Sequence, residues 1–177
     1  AVDIIIDESK RLSSLVDDLL YLSKIDAMQD NFKSESIIME ELLKCSIEKV
    51  NGIAVGNEKT VSFINEAKEN LVISGDKEKL IRAIINILGN CLRYCKTSVT
   101  VALSKIDNNI IIEIYDDGPG FDKDSLEHVF DRFYKGRNGN YGLGLAITKS
   151  IIERHRGSIE AANNQAGGAC FKITLKG

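Results

Sequence analysis

Three groups of residues in this 177-residue sequence have the types and spacing to act on one ligand. Asp116 and Asp117 close the apolar run Ile110 to Tyr115 and precede Gly118-Pro119-Gly120. A carboxylate between a strand end and two glycines can face the amine of a buried ligand, because glycine lets backbone and ligand approach closely. Gly142-Leu143-Gly144-Leu145 opens a helical pattern, and a glycine-rich turn at a helix start presents bare N–H groups to phosphate. Asn86 and Asn90 lie one turn apart on one helical face. Mid-helix asparagines are poor helix formers, so the pair is either exposed, satisfied in the interior, or functional. Their amide oxygens suit a hard cation such as magnesium, which keeps several waters and takes its other ligands from phosphate. Arg93 adds permanent positive charge for the same phosphates, and Tyr94 a flat face for a base. One end reads a base and the other grips an anion, which is the outline of a nucleotide pocket.

Between the glycine clusters runs Phe130-Asp131-Arg132-Phe133-Tyr134-Lys135-Gly136-Arg137. Phe130, Phe133 and Tyr134 give it an aromatic foot, and its other end is basic and glycine-rich. That composition suits a lid over phosphates, with Lys135 or Arg137 reaching in. It equally suits a plain surface loop.

The elements that position these residues follow from periodicity. Residues 3 to 27 read as one helix, with Ile5, Leu12 and Leu19 in one heptad row and Leu15 and Leu22 in the second. Its stripe is broad enough either to pack on its own domain or to enter a helix bundle with a partner. A linker with a short strand, Phe32 to Ile37, leads to a helix over Met39 to Ile53, ended by Gly52 and Gly56. Thr60–Ile64 and Leu71–Ile73 are predicted to pair with each other across Asn65–Asn70. Asp76 is an N-cap with half a capping box, since Lys79 stands where the acid would be. The helix Lys77–Tyr94 buries Leu80, Ile81, Ile84, Ile85, Leu88 and Leu92. Thr97–Leu103 and Asn109–Tyr115 form a hairpin around Asp107-Asn108-Asn109. Gly142–Arg156 is the third long helix of the globular part, stopped by Gly157. Ser158–Ala162 and Ala169–Leu175 pair across Gly167-Gly168. Strands in hairpins give an α+β, two-layer α/β sandwich with a mixed sheet and helices on one face, plus the N-terminal helix. A doubly wound dinucleotide fold is disfavoured, because the glycine cluster follows a loop and not a strand.

Composition sets the bounds. A hydrophobic fraction of 44% supports a core, and a net charge of −3 gives no reason to expect nucleic acid as partner. No apolar run reaches the roughly 20 residues of a membrane span. Cys45, Cys91, Cys95 and Cys170 match no zinc or disulfide spacing. They read as small apolar residues in a reducing setting.

In order, Asn86-x-x-x-Asn90, Asp116-x-Gly118-x-Gly120, Phe130-x-x-Phe133 and Gly142-Leu143-Gly144-Leu145 resemble the N, first glycine, F and second glycine boxes of sensor histidine kinases. That family belongs to the GHKL ATPases and has a Bergerat-type fold. Glu8 to Asp26 resembles the second helix of its dimerisation and phosphotransfer domain. The resemblance divides the chain into 1–27 (that helix), 28–36 (linker and strand) and 37–177 (catalytic domain). It implies that Asn90 and Asn86 bind Mg²⁺, that Arg93 meets the phosphates of ATP and that Tyr94 lines base or ribose. Asp116 would accept a hydrogen bond from the adenine amine, with Gly118 and Gly120 shaping the pocket. Phe133, Lys135 and Arg137 would belong to the ATP lid, and Gly142, Leu143, Gly144 and Leu145 would hold phosphate. Two departures stand out: Cys91 and Cys95 replace smaller or hydroxyl residues, and Asn140-Tyr141 before the second glycine box accompanies a short lid.

The family passes the γ-phosphoryl group to a histidine on the first dimerisation helix, with a response regulator downstream. Only His128 and His155 occur here, and neither has acceptor surroundings. The resemblance therefore implies a fragment that binds ATP–Mg²⁺ and does not phosphorylate itself. In the whole protein it implies a homodimer through the N-terminal helix, and a cytoplasmic position with a membrane anchor supplied upstream. The alternatives are a GHKL-type ATPase and a non-catalytic interaction domain. The stretch between Asn86 and Tyr94 carries no acid to activate water, which speaks against hydrolysis.

Overall fold

The computed structural model describes residues 2–27, 31–134 and 142–177. The helix α1 (Val2–Asp26) is followed by β1 (Glu35–Ile38) and α2 (Met39–Gly56). Next come β2 (Thr60–Asn65), β3 (Val72–Gly75) and α3 (Lys77–Tyr94). The hairpin β4 (Ser98–Ile106) and β5 (Asn109–Asp116) precedes a short α4 (Lys123–His128). The helix α5 (Gly144–Arg154) and the hairpin β6 (Ser158–Asn163) and β7 (Ala169–Lys176) complete the domain.

The main sheet runs β2-β4-β5-β7-β6, parallel at β2–β4 and antiparallel elsewhere. Burial alternates along β4, β5 and β7. Val101, Leu103, Ile112, Ile114, Phe171 and Ile173 face a core roofed by α2, α3 and α5. Burying one such side chain contributes about 1.5–3 kcal/mol, against about 1 kcal/mol net for a hydrogen bond. The inner face of the sheet therefore sets the frame on which polar groups are hung. The expected two-layer α+β sandwich with a mixed sheet is the fold that forms.

One strand pairing differs from the sequence reading. β2 and β3 do not pair with each other. β2 lies parallel to β4, and β3 pairs antiparallel with β1 in a separate two-stranded sheet. The Asn65–Asn70 segment does not turn back, because Glu66 N–H donates to Leu103 O and keeps the chain running along β4. A parallel pair needs a crossover, and α3 supplies it. Alternation alone does not distinguish the two partners.

Helix limits shift for local reasons. α2 runs through Gly52 to Gly56, because Val50 and Ala54 on either side are buried. In α3, Asp76 caps the first turn by accepting from Lys79 N–H, as expected. Its buried stripe includes Ile87, which is fully buried, while Ile85 is only half-buried. α5 starts at Gly144, not Gly142. At its end the left-handed residue is Arg156 (φ 58°), and not Gly157. Arg156 N–H bonds Glu153 O and Gly157 N–H bonds Ile152 O, which is the Schellman arrangement. Gly157 is needed for space instead: a Cβ there would lie 2.6 Å from Thr174 O.

α1 uses its two heptad rows differently. Leu22 is buried and Leu15 half-buried against the domain. Beside them Arg82 Nη2 donates to Asp18 Oδ1 at 2.6 Å, and its guanidinium lies 4.0 Å from the Tyr21 ring centroid. Val16, Leu19 and Leu20 stay exposed, and Leu12, also exposed, borders the cleft. Among the described residues, no helix is long and apolar enough to cross a membrane.

The segment after α1 is pinned at one point. Asp76 accepts from Lys33 N–H at 2.9 Å, Lys79 Nζ bonds Asn31 O, and the Phe32 ring lies 4.8 Å from His155. His155 Nε2 accepts from Asp76 N–H at 2.9 Å while Nδ1–H donates to Ile151 O at 2.8 Å. That pattern holds the neutral imidazole, although the ring sits at a helix C-terminus where a cation is favoured. Burial, the largest cause, pushes its pKa down, with Lys79 and Arg154 helping and Asp76 opposing. As pH falls below about 6.5, the unfolded chain takes up this proton before the folded one does. Stability should therefore fall with pH from that point down through the lowered folded value. Chemical unfolding at pH 7.5 to 5.5 should give a steeper loss for the wild type than for His155→Gln; equal slopes would contradict the assignment.

Candidate nucleotide-binding site

A cleft of about 1190 Å³ opens between α3, the loop after β5 and the start of α5. Its floor is Asp116, the last residue of β5, which is 4% exposed. Oδ1 accepts from Gly118 N–H at 2.8 Å and from Ala169 N–H at 3.2 Å. Oδ2 is buried with no partner among the described residues. A buried carboxylate oxygen without a donor is costly, so a ligand N–H entering here gains what the protein leaves open. The Cys91 thiol stands beside this carboxylate. Burial first, then the Asp116 charge, pushes the thiol well up, so it stays protonated. It is a weak donor and no substitute for an N–H.

The neighbouring Asp117 faces the other way, as strand alternation requires. It accepts backbone N–H groups from Lys96, Thr97 and Ser98 and the Thr97 hydroxyl. Burial acts to raise its pKa, but those hydrogen bonds hold the carboxyl far below the usual range. Asp117 ties down the start of β4, and only Asp116 serves the cleft.

The two glycines of this loop are closely hemmed in. A Cβ on Gly118 would lie 2.5 Å from Tyr94 O, and one on Gly120 (φ 69°) would lie 2.3 Å from Gly167 O. Their close approach is to protein backbone, which seats the loop on α3 and on the β6–β7 turn. Gly120 lines the cleft; Gly118 supports it from behind.

α3 turns Asn86, Asn90, Arg93 and Tyr94 toward the cleft over about two turns. Asn86 Nδ2 donates to Gly144 O at 3.0 Å, which couples α3 to the first residue of α5. The Asn90 amide and the Arg93 guanidinium have no protein partner among the described residues. The described residues hold no cluster of three His, Cys, Asp or Glu that could bind a metal. A cation here would rest on amide oxygens and on the ligand itself, which suits magnesium with a polyphosphate.

Across the cleft, Gly142 and Gly144 border the start of α5. The helix has no side-chain N-cap and no acid in its first turn, so its N–H groups remain open to an anion. Leu145 lines the cleft, whereas the Leu143 side chain is 1% exposed and belongs to the core. Leu143 can contribute only its backbone. Phe133 is also corrected. Its φ of 61° and its N–H bond to Gly142 O turn the ring outward, and Tyr134 lines the cleft in its place. Phe130 packs on Phe171 as the aromatic foot. Lys135 and Arg137 lie outside the described residues.

Several parts of the site were not foreseen. α4 adds Ser125 to the lining, and its Asp122 cap on Ser125 N–H was visible as an Asp-x-x-Ser signal. Leu12, Leu15 and Asp18 of α1 form one wall of the cleft, which no local pattern announces. Asn163, Asn164 and Gly168 brace the loop from β6 and β7.

Comparison with known proteins matches residues 75–177 to a family described as histidine kinase-, DNA gyrase B-, and HSP90-like ATPases. The sensor histidine kinase CssS of Bacillus subtilis is 31% identical over 167 residues, covering 94% of this chain and 36% of CssS. The mycobacterial sensor histidine kinase MprB shares 28% identity at a TM-score of 0.71, covering 81% of this chain and 98% of that one. Full-length ShkA in complex with AMPPNP gives a TM-score of 0.85 at 24% identity, covering 95% of this chain and 36% of ShkA. The chain spans 20% to 46% of the length of the first relatives it matches. The family model spans more than half of the chain, over the elements that carry Asp116, the α3 amides and the uncapped start of α5, and the chain belongs to the histidine kinase-, DNA gyrase B-, and HSP90-like ATPase family.

Proposed function

We propose that the cleft binds ATP with Mg²⁺ and presents the γ-phosphate to a histidine outside residues 1–177. The observation that carries this reading is the buried, unpartnered Asp116 Oδ2, aimed at a cleft whose other end is the uncapped start of α5. Oδ2 takes the adenine amine. Asn90, with the oxygen of Asn86, holds the cation, and Arg93 offsets phosphate charge. The α5 N–H groups from Gly144 onward grip phosphate oxygens. Tyr94 and Gly120 line the base and ribose, and Lys135 or Arg137 closes over the phosphates. Mg²⁺ supplies charge neutralisation between the phosphates when bound. Phosphoryl transfer depends on placing the γ-phosphate and offsetting its charge, so these residues cover one half of the reaction.

The other half is the nucleophile, and neither histidine here serves. His155 has both ring nitrogens engaged within the fold. His128 is exposed, with Nδ1 2.7 Å from Asp131 Oδ2 and not directed by any element toward the cleft. We assign residues 1–27 to the second dimerisation helix, 28–36 to the linker and 37–177 to the catalytic domain. The open α1 face of Val16, Leu19 and Leu20 fits a helix of a second copy in a homodimer. A response regulator receives the phosphoryl group, and membrane anchoring comes from outside this stretch. CssS and WalK of Bacillus subtilis, both named as sensor histidine kinases, and the AMPPNP complex of ShkA support this assignment.

Asp116→Asn should weaken ATP binding at least tenfold by calorimetry, about 1.4 kcal/mol, with little change in unliganded melting. Unchanged affinity would remove the base pocket from Asp116. ATP with Mg²⁺ at about 100 times its Kd should stabilise the fold by about 2.7 kcal/mol. In thermal unfolding most of that shift should vanish with EDTA; a shift indifferent to EDTA would refute the cation role of Asn90. With radiolabelled ATP these 177 residues alone should acquire no acid-labile label; a stable phosphohistidine on His128 would contradict the assignment of the acceptor elsewhere.

A further inference from the structure

We infer that Asn164, in the turn between β6 and β7, is a positioning residue for base selection, acting through Asp116; this rests on reading the cleft as the nucleotide site. Its carboxamide works in two directions at once. Oδ1 accepts from Ala166 N–H at 2.9 Å and from Gly168 N–H at 3.1 Å, which closes the turn. Nδ2 donates to the backbone carbonyl of Asp116 at 2.8 Å. Only this orientation of the amide satisfies all three partners. The turn is thereby tied to the residue whose free oxygen faces the base.

Three further contacts make the attachment stiff. A Cβ on Gly168 would lie 1.9 Å from Asp116 O, so the two backbones are already at their closest approach. The next residue, Ala169, donates its N–H to Asp116 Oδ1. Asn163 clamps the far side of the loop, with Oδ1 accepting from Phe121 N–H at 2.7 Å and Nδ2 donating to Phe121 O at 2.9 Å. The backbone and one oxygen of Asp116 are thus held by β7 and its turn. The remaining oxygen is left at a set height and angle. A hydrogen bond weakens steeply when its geometry is lost, so the choice between an amine and a carbonyl on the base depends on that support. Asn164 touches no ligand atom in this scheme.

The test compares ATP with inosine triphosphate, whose ring carries a carbonyl where adenine carries the amine. Asn164→Asp keeps the oxygen that accepts both N–H groups of the turn and removes the N–H donated to Asp116. Calorimetry on the purified chain should show the ratio of ATP to inosine triphosphate affinity falling about fivefold to tenfold, the worth of one hydrogen bond. Should Asn164→Asp fail to fold, Asn163→Ala removes the clamp on Phe121 and should narrow the same ratio about threefold. Equal weakening of both nucleotides, or no change in either, overturns the positioning role while leaving the nucleotide site standing. A wild-type chain that binds neither nucleotide overturns the site and this inference together.

Discussion

Everything in the cleft depends on holding one carboxylate out of water with half of its bonding capacity unused. Asp116 is buried at the end of a central strand, and two backbone N–H groups from separate segments satisfy one oxygen. The segments are its own loop and the start of β7. A carboxylate left to itself would rotate toward water. Here the loop, α3 and the β6–β7 turn close around it, at contacts where Gly118, Gly120 and Gly168 have no room for a side chain. The glycines of the motif are thus packing residues first. They let three stretches of backbone meet, and the recognition surface is what remains open.

The same economy governs α3. Its stripe of Leu80, Ile84, Ile87, Leu88 and Cys91 packs on the sheet with almost no exposure. That anchoring leaves the adjoining face, with Asn86, Asn90 and Arg93, fixed in direction. Asn86 also bonds Gly144 O, so the helix carrying the amides and the helix offering its N-terminus share one hydrogen bond. The amide face of α3 and the N-terminus of α5 are therefore positioned relative to each other by the core. Asp117 plays the matching part on the outer side, where four donors fasten β4 to the end of β5.

Local periodicity was enough for most of the elements and for the polar face of α3. Asp116 stood out because its acidic glycine turn, common by itself, comes in order between the asparagine helix and the Gly142–Gly144 cluster. The readings that failed share a cause: each depended on a partner distant in sequence. β2 and β3 alternate as any hairpin would, yet Glu66 commits the chain to β4. Ile85 and Ile87 lie on either side of the stripe's edge, and only α5 and the sheet decide which is buried. Phe133 matched a motif, but a positive φ turned its ring away and brought Tyr134 in. Asn164 carried no signal, since an asparagine in a turn is ordinary until its amide is seen to reach Asp116.

α1 brings these threads to the edge of the domain. A heptad pattern normally means one seam and one partner, but here the two rows diverge. Leu15 and Leu22 dock on the domain, while Leu19 is exposed and Leu12 borders the cleft. The polar part of the docking is light. Asp18 and Arg82 are both partly exposed, and such pairs contribute about 0–1 kcal/mol. The buried Leu22 and the Tyr21–Arg82 stacking carry the rest. Because Leu12, Leu15 and Asp18 also wall the cleft, this modest attachment sets how closed that side is. Moving α1 against α3 would cost far less than unfolding any strand, and it would open the cleft without disturbing Asp116 on the far side. A rigid floor and a lightly held wall let a site keep its selectivity while one side of it opens.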